Sequence, residues 1–337
     1  LRPTAAAFLA SSTIGRSISI LVAAAAVAGV VPSAFADEVS LGAGGLRSDS
    51  YDDQSTYAYQ LEYRRPVYGP FSASFTWLNE GHITNNHRDG QGVQLWWQSK
   101  PEDQLGLVFD LGVGPYRYYD TTRGAPDASY ENAHGWAGLI TAEADYRFDS
   151  HWLASVRLNQ VEANRSFDST AVLVGVGYLF GDPLTTLAPG QSLAPAKMSW
   201  EADAYLGDTI LNSFNSEGHT TGGIGARLQL ADWLAASATY LDASENDNGW
   251  RDAAIVQLWA EQPLTRQVTV GAGLGGFFPF NSHYDHPQSS EHASALIGIE
   301  AGYSITKQWV GRFIWDRVGT GDNHDSDLFL FNLGYRF

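Results

Sequence analysis

From Glu38 onward, apolar and polar residues alternate along the chain, and polar clusters interrupt the alternation at intervals of about ten residues. In FSASFTWLNEG, Phe71, Ala73, Phe75 and Trp77 share one face, while Ser72, Ser74 and Thr76 share the other. The last stretch behaves alike: Phe329, Phe331, Leu333, Tyr335 and Phe337 alternate with Leu330, Asn332, Gly334 and Arg336. No helical period competes with this pattern after Glu38. A two-residue period in short segments predicts an all-β chain, specifically a transmembrane antiparallel β-barrel.

The chain also repeats itself. WLASVRLNQVEANRSFDSTAVLVGVGYLF (152–180) aligns without a gap on WVGRFIWDRVGTGDNHDSDLFLFNLGYRF (309–337), with Trp152/Trp309, Ser169/Ser326, Gly177/Gly334 and Tyr178/Tyr335 among the identities. RDGQGVQLWWQ (88–98) matches RDAAIVQLWAE (251–261) in the same way. The reading is therefore a duplication, with one eight-stranded repeat over 37–181, a linker rich in Pro and Gly over 182–197, and a second repeat over 198–337. Strands of the first half are expected near 38–45, 57–65, 71–81, 91–99, 104–114, 135–148, 152–161 and 169–180. The short turns RPVYGP, SKPEDQ and RFDSHW then lie at one end, and the charged connections NEGHITNNHRDG and 116–134 at the other, which is the usual asymmetry of outer-membrane barrels.

Parity assigns the lumen. Gln94, Trp96 and Gln98 face inward, matched by Gln257, Trp259 and Glu261 in the second half. Glu62, Arg64, Asp110, Glu143, Asp145, Arg147 and Arg157 join them, and Glu143 and Glu300 occupy equivalent positions. Large, small and oppositely charged residues together suit a packed, ion-paired interior better than a pore. Two tandem eight-stranded barrels are favoured over one sixteen-stranded barrel, which would leave a water-filled channel. The length of the linker points the same way, because most hairpin loops have only about two to five residues.

At the start of the chain, Arg2 and Arg16, the apolar run ISILVAAAAVAGVV and the tripeptide AFA before Asp37 together read as a secretory signal over 1–36. Removing its two arginines takes the formal charge from −17 to −19. Such acidity excludes nucleic acid as a partner, since phosphate binding needs Lys and Arg. It leaves room for divalent cations at surface loops, with no other cofactor expected. The absence of Cys excludes disulfides, thiolate metal sites and thiol nucleophiles. Expected partners are outer-membrane lipid and lipopolysaccharide, and the outer-membrane assembly machinery during insertion; the expected location is the bacterial outer membrane.

The glycine-rich fifth strands VFDLGVGPY and VGAGLGGFF, the sixth strands GLITAEADYRF and ALIGIEAGYSI, and the last hairpin resemble the lipid A 3-O-deacylase family of small outer-membrane barrels. The resemblance implies a His-x-Ser pair on the seventh strand, with Ser as nucleophile and His as base. Those positions hold Arg157 and Asn159 in the first half, and Ile314 and Asp316 in the second. The family's acyl-transfer chemistry is not expected to carry over. His324-x-Ser326 has the right spacing but opens the eighth strand. With Glu143 as a general acid or base, it completes the catalytic candidates.

One further cluster has chemical potential. His82, His87 and His134, with Asp89, could form a nitrogen-and-oxygen donor set at the outer mouth, with Glu80 and His82 facing the lumen. In the repeat, His82 and His87 become Glu245 and Trp250, whereas Arg88 and Asp89 persist as Arg251 and Asp252. A solvated loop with an Arg–Asp bridge is therefore the expected reading. The functional expectation is a structural or surface-interaction role without catalysis. The alternatives are a lipid A-modifying acyl hydrolase, a passive sixteen-stranded porin and a metal-binding surface protein.

Overall fold

The computed structural model describes residues 37–49, 54–99, 105–123, 130–148, 151–180, 198–213, 216, 218–243, 252–280, 293–321 and 323–337. The signal (1–36), the linker (182–197) and Arg251 lie outside the described residues.

Among the described residues, sixteen antiparallel strands form two closed eight-stranded barrels. The first contains β1 (Asp37–Ser48), β2 (Ser55–Tyr68), β3 (Phe71–Ile83), β4 (Asn86–Gln98), β5 (Gly106–Thr122), β6 (Glu131–Arg147), β7 (Trp152–Ala163) and β8 (Ser169–Phe180). It closes where β1 meets β8, with Glu38 opposite Leu179 and Leu46 opposite Ala171. The second contains β9 (Trp200–Leu211), β10 (Gly218–Ala231), β11 (Leu234–Ala243), β12 (Ala253–Pro263), β13 (Val268–Pro279), β14 (Ser294–Ser304), β15 (Trp309–Gly319) and β16 (Ser326–Arg336). It closes where β16 meets β9, with Arg336 opposite Glu201. Closure leaves neither sheet an unpaired edge.

Outward positions form an apolar belt. Leu107 is 46% exposed and Val174 65%, and Leu95, Phe109, Leu111, Val113, Ile140, Val156 and Val172 lie between these values. In water so broad an apolar surface would be a severe liability. Aromatic pairs edge the belt at the end bearing the termini, and they are duplicated. Trp152 meets Tyr178 edge-on at 4.9 Å between ring centroids, and Trp309 meets Tyr335 at 5.0 Å.

The first lumen is layered. Arg64, Arg157, Glu62, Glu143 and Asp110 form an ion-paired layer towards the terminus-bearing end. Above it lies a neutral hydrogen-bonded layer, in which Asn159 donates to Gln60 at 2.6 Å and Gln94 donates to Thr141 at 3.0 Å. An apolar plug follows, built from Leu46, Leu78, Tyr116, Leu139, Val161 and Leu173.

The barrels touch along a seam of outward-facing side chains that are buried only because the partner barrel covers them. Arg317 donates Nη1 and Nη2 to the two carboxylate oxygens of Asp89, both at 2.8 Å, and Nε to Asp327 at 2.6 Å. Trp77 and Trp315 meet edge-on at 4.8 Å. Each indole N–H donates to its own barrel's carboxylate, Trp77 to Asp89 and Trp315 to Asp327. Further along, Asn132 donates to the Asn212 carbonyl at 2.9 Å. Arg65 and Gln262 make a side-chain hydrogen bond across the same divide.

Candidate functional site

The stretch expected as a loop over NEGHITNNHRDG is hairpin instead. β3 runs to Ile83 and β4 starts at Asn86, so only Thr84 and Asn85 turn. Asn85 takes a positive φ of 61°, which suits a two-residue hairpin turn. A bulge interrupts the register between Asn79 and His82, and Gly81 supplies it with φ 66°. There, a Cβ would lie 2.2 Å from the Tyr57 carbonyl oxygen, which restricts the position to glycine.

The bulge reverses parity. Glu80 stays inside, fully buried, but His82 turns outward, contrary to the expectation that both face the lumen. It stacks on His87 with ring centroids 4.2 Å apart, and its Nδ1 shares a hydrogen bond of 2.9 Å with the Tyr57 hydroxyl. Both imidazoles sit beyond Arg117, above the apolar belt. Burial, the His82 ring and the Arg317 guanidinium push His87 down to about 3, and burial lowers His82 as well.

Arg88 and Asp89 do not bridge each other. Adjacent residues on a strand point to opposite faces, so Arg88 enters the lumen and Asp89 leaves it for Arg317. Arg88 donates to both oxygens of Glu80, at 2.5 and 2.6 Å, and to the Ser169 hydroxyl at 3.1 Å. Ser169 and the Tyr116 hydroxyl also donate to Glu80, at 2.5 and 3.1 Å. The guanidinium lies 3.7 Å from the Phe167 ring centroid. This is a saturated ionic plug at the end of the lumen away from the chain termini. In the repeat, Asp252 instead accepts from the Tyr240 hydroxyl at 3.2 Å.

The four proposed metal donors do not converge on one point. His134 faces Asp325 across the seam, Nε2 to Oδ1 at 3.4 Å, while Asp89 is committed to Arg317 and His82 stacks on His87. Of the catalytic candidates, Ser326 is a buried first residue of β16, and His324 lies in the preceding loop with its backbone N–H on the Thr320 hydroxyl. Glu143 is held by Arg157 at 2.7 Å and by Arg64. Its counterpart Glu300 is held by Arg227, with Nη1 to Oε2 at 2.9 Å.

Trp96 and Trp259 both point inward, and each donates its indole N–H to a serine: Ser74 at 2.8 Å and Ser237 at 3.0 Å. Gln94 and Gln257 flank them, with Gln257 donating to Asp316 at 2.8 Å. Sequence reading missed one grouping. Asp110, Glu143 and Asp145 bring carboxylate oxygens within 4.8 Å of one another inside the first barrel. Parity had placed all three in the lumen, but their mutual distance depends on the register that sets Asp110 opposite Glu143.

No protein-family model matches the chain, and no curated protein matches it. Among solved structures, the N-terminal β-barrel domain of Pseudomonas aeruginosa OprF is similar at 17% identity, covering 42% of this chain and 97% of that one, with a TM-score of 0.35. Ail, the attachment invasion locus protein of Yersinia pestis, is similar at 12% identity over 44% of this chain and 100% of that one, with a TM-score of 0.33. A Pseudomonas aeruginosa FadL homologue aligns at 11% identity over 93% and 92% of the two chains, with a TM-score of 0.25.

Proposed function

We propose that this chain is an integral protein of the bacterial outer membrane, and that its two docked barrels form a non-conducting, non-catalytic anchor for surface loops. The observation that carries the reading is the contrast between outside and inside. The belt from Leu107 to Val174 is exposed apolar surface, whereas each lumen is crossed by buried ion pairs, Arg64 with Glu62 and Asp110 in one and Arg227 with Glu261 and Glu300 in the other. A closed barrel satisfies its backbone hydrogen bonds internally, and this is what lets strands cross hydrocarbon. Its neighbours in the membrane would be lipid and lipopolysaccharide, and its insertion would use the assembly machinery of that membrane.

The non-catalytic part of the reading is supported by the lack of an imidazole at the seventh-strand positions, where Arg157 and Asn159, and Ile314 and Asp316, stand. The test is single-channel conductance of full-length protein refolded into a planar bilayer, with heat-modifiable gel migration as proof of folding. Folded protein should remain silent. Steady openings would overturn the sealed-lumen reading and restore the porin alternative, and loss of an acyl chain from lipid A incubated with the same protein would restore the hydrolase.

A further inference from the structure

We infer that the first barrel holds one hard divalent cation, of the Ca²⁺ class, between Asp110, Glu143 and Asp145, near the end of the lumen that carries the chain termini. The three carboxylates are buried, and their nearest oxygens lie within 4.8 Å of one another. Arginines occupy some of those oxygens and leave the rest. Arg64 takes Oδ2 of Asp110 and Oε2 of Glu143, and Arg157 takes Oε1 of Glu143. Among the described residues, Asp110 Oδ1 and both oxygens of Asp145 have no hydrogen-bond partner, although Asp145 is 0% exposed. Glu38, opposite Arg64 in the β1–β2 register, adds another buried oxygen without a hydrogen-bond partner among the described residues.

Charge balance gives the stoichiometry. Among the described residues, the buried charged groups in this part of the lumen are Glu38, Glu62, Asp110, Glu143 and Asp145 on one side and Arg64, Arg147 and Arg157 on the other, an excess of two carboxylates. Uncompensated charge inside a hydrocarbon-jacketed barrel is costly. One divalent cation removes the excess. The alternative is two bound protons. An all-carboxylate donor set selects hard cations over zinc or copper. Calcium–oxygen distances of about 2.3–2.6 Å let ligands stand up to about 5 Å apart across the ion, a span that contains this cluster.

The second barrel is an internal control. The same register pairs Gly271 with Glu300, as Asp110 pairs with Glu143, and Gly302 takes the place of Asp145. Only the glutamate is common to both barrels, so the inferred site belongs to the first.

The experiment uses full-length protein refolded in detergent free of lipopolysaccharide, stripped with chelator, and dialysed against labelled CaCl₂. Folded wild type should bind one Ca²⁺ and gain thermal stability. Asp145→Asn should weaken binding more than about tenfold, since affinity follows ligand charge, and should lose the calcium-dependent gain; Asp203→Asn, at a buried carboxylate of the second lumen that accepts from Asn332, should change neither. Should Asp145→Asn fail to migrate as folded protein, Asp110→Asn takes its place with the same expected loss. Absence of binding by folded wild type would overturn the inference and assign the charge excess to protons. Binding undiminished in the folded variant would overturn it in favour of the acidic loops.

Discussion

In the first barrel, Trp96 donates to Ser74, lies under Arg64 and backs onto Gly112; in the second, Trp259 donates to Ser237, lies under Arg227 and backs onto Gly273. Around this shared kernel the lumens diverge. Asp110, Asp145, Arg147 and Arg157 in one correspond to Gly271, Gly302, Ser304 and Ile314 in the other. The first places a second guanidinium, Arg157, 5.5 Å from the indole centroid. The second puts Ile314 there, packed with Leu296 and Leu330 around the tryptophan, and carries its ion pairs on Arg227 and Arg312. An eight-stranded lumen must be filled, and the comparison teaches that the filling can change chemistry once a large side chain is fixed at its centre.

The largest expected effect lies where that chemistry is most concentrated. Arg64 bridges Glu62, Asp110 and Glu143, whereas Arg227 bridges Glu261 and Glu300. Removing one partner of a buried ion pair costs about 3–5 kcal/mol, because the charge left behind has no water to turn to. Arg64→Met should fall at the upper end of that range and Arg227→Met below it, both measured by urea unfolding in detergent. Equal losses would break the distinction between the more heavily and the less heavily bridged arginine.

The seam comes next. Arg317→Met strands Asp89 and Asp327, both buried by the facing barrel, and should cost about 2–4 kcal/mol. A double-mutant cycle with Asp89→Asn separates the contact from simple burial. Strong coupling would mean the barrels dock as one body; additive losses would mean that the Arg317–Asp327 pair within the second barrel carries the whole effect.

How much of this was legible depended on how local the signal was. Alternation gave eight strands per half, and the mixture of charged and small inward residues favoured two barrels over one. Strand ends were less legible. A polar stretch such as GHITNNHRDG reads as loop, yet strands that rise above the belt can be polar on both faces. Once β4 is known to begin at Asn86, a bridge between the adjacent Arg88 and Asp89 is ruled out by strand geometry alone. The bulge at Gly81 was hidden because its cause, the close approach of the Tyr57 carbonyl, comes from another strand. The seam was hidden for a plainer reason. Asp89 and Arg317 are 228 residues apart, and nothing local in either marks the partner.

The smallest predicted effect is also the sharpest probe of the shared kernel. A Cβ on Gly112 would stand 2.8 Å from the Trp96 ring, and one on Gly273 2.7 Å from the Trp259 ring, so each alanine forces an indole to move. Overpacking of this kind costs about 1–3 kcal/mol. The freedom to move differs between the two. Arg64 presses on Trp96 from 3.7 Å, while Arg227 stands 5.3 Å from Trp259, which also borders a cavity of about 10 Å³. Gly112→Ala should therefore fall near the top of the range and Gly273→Ala near the bottom, read as the loss in unfolding free energy. The reverse order would mean that the guanidiniums around Trp96 yield more readily than the apolar packing around Trp259, and that the more tightly held indole is the second one.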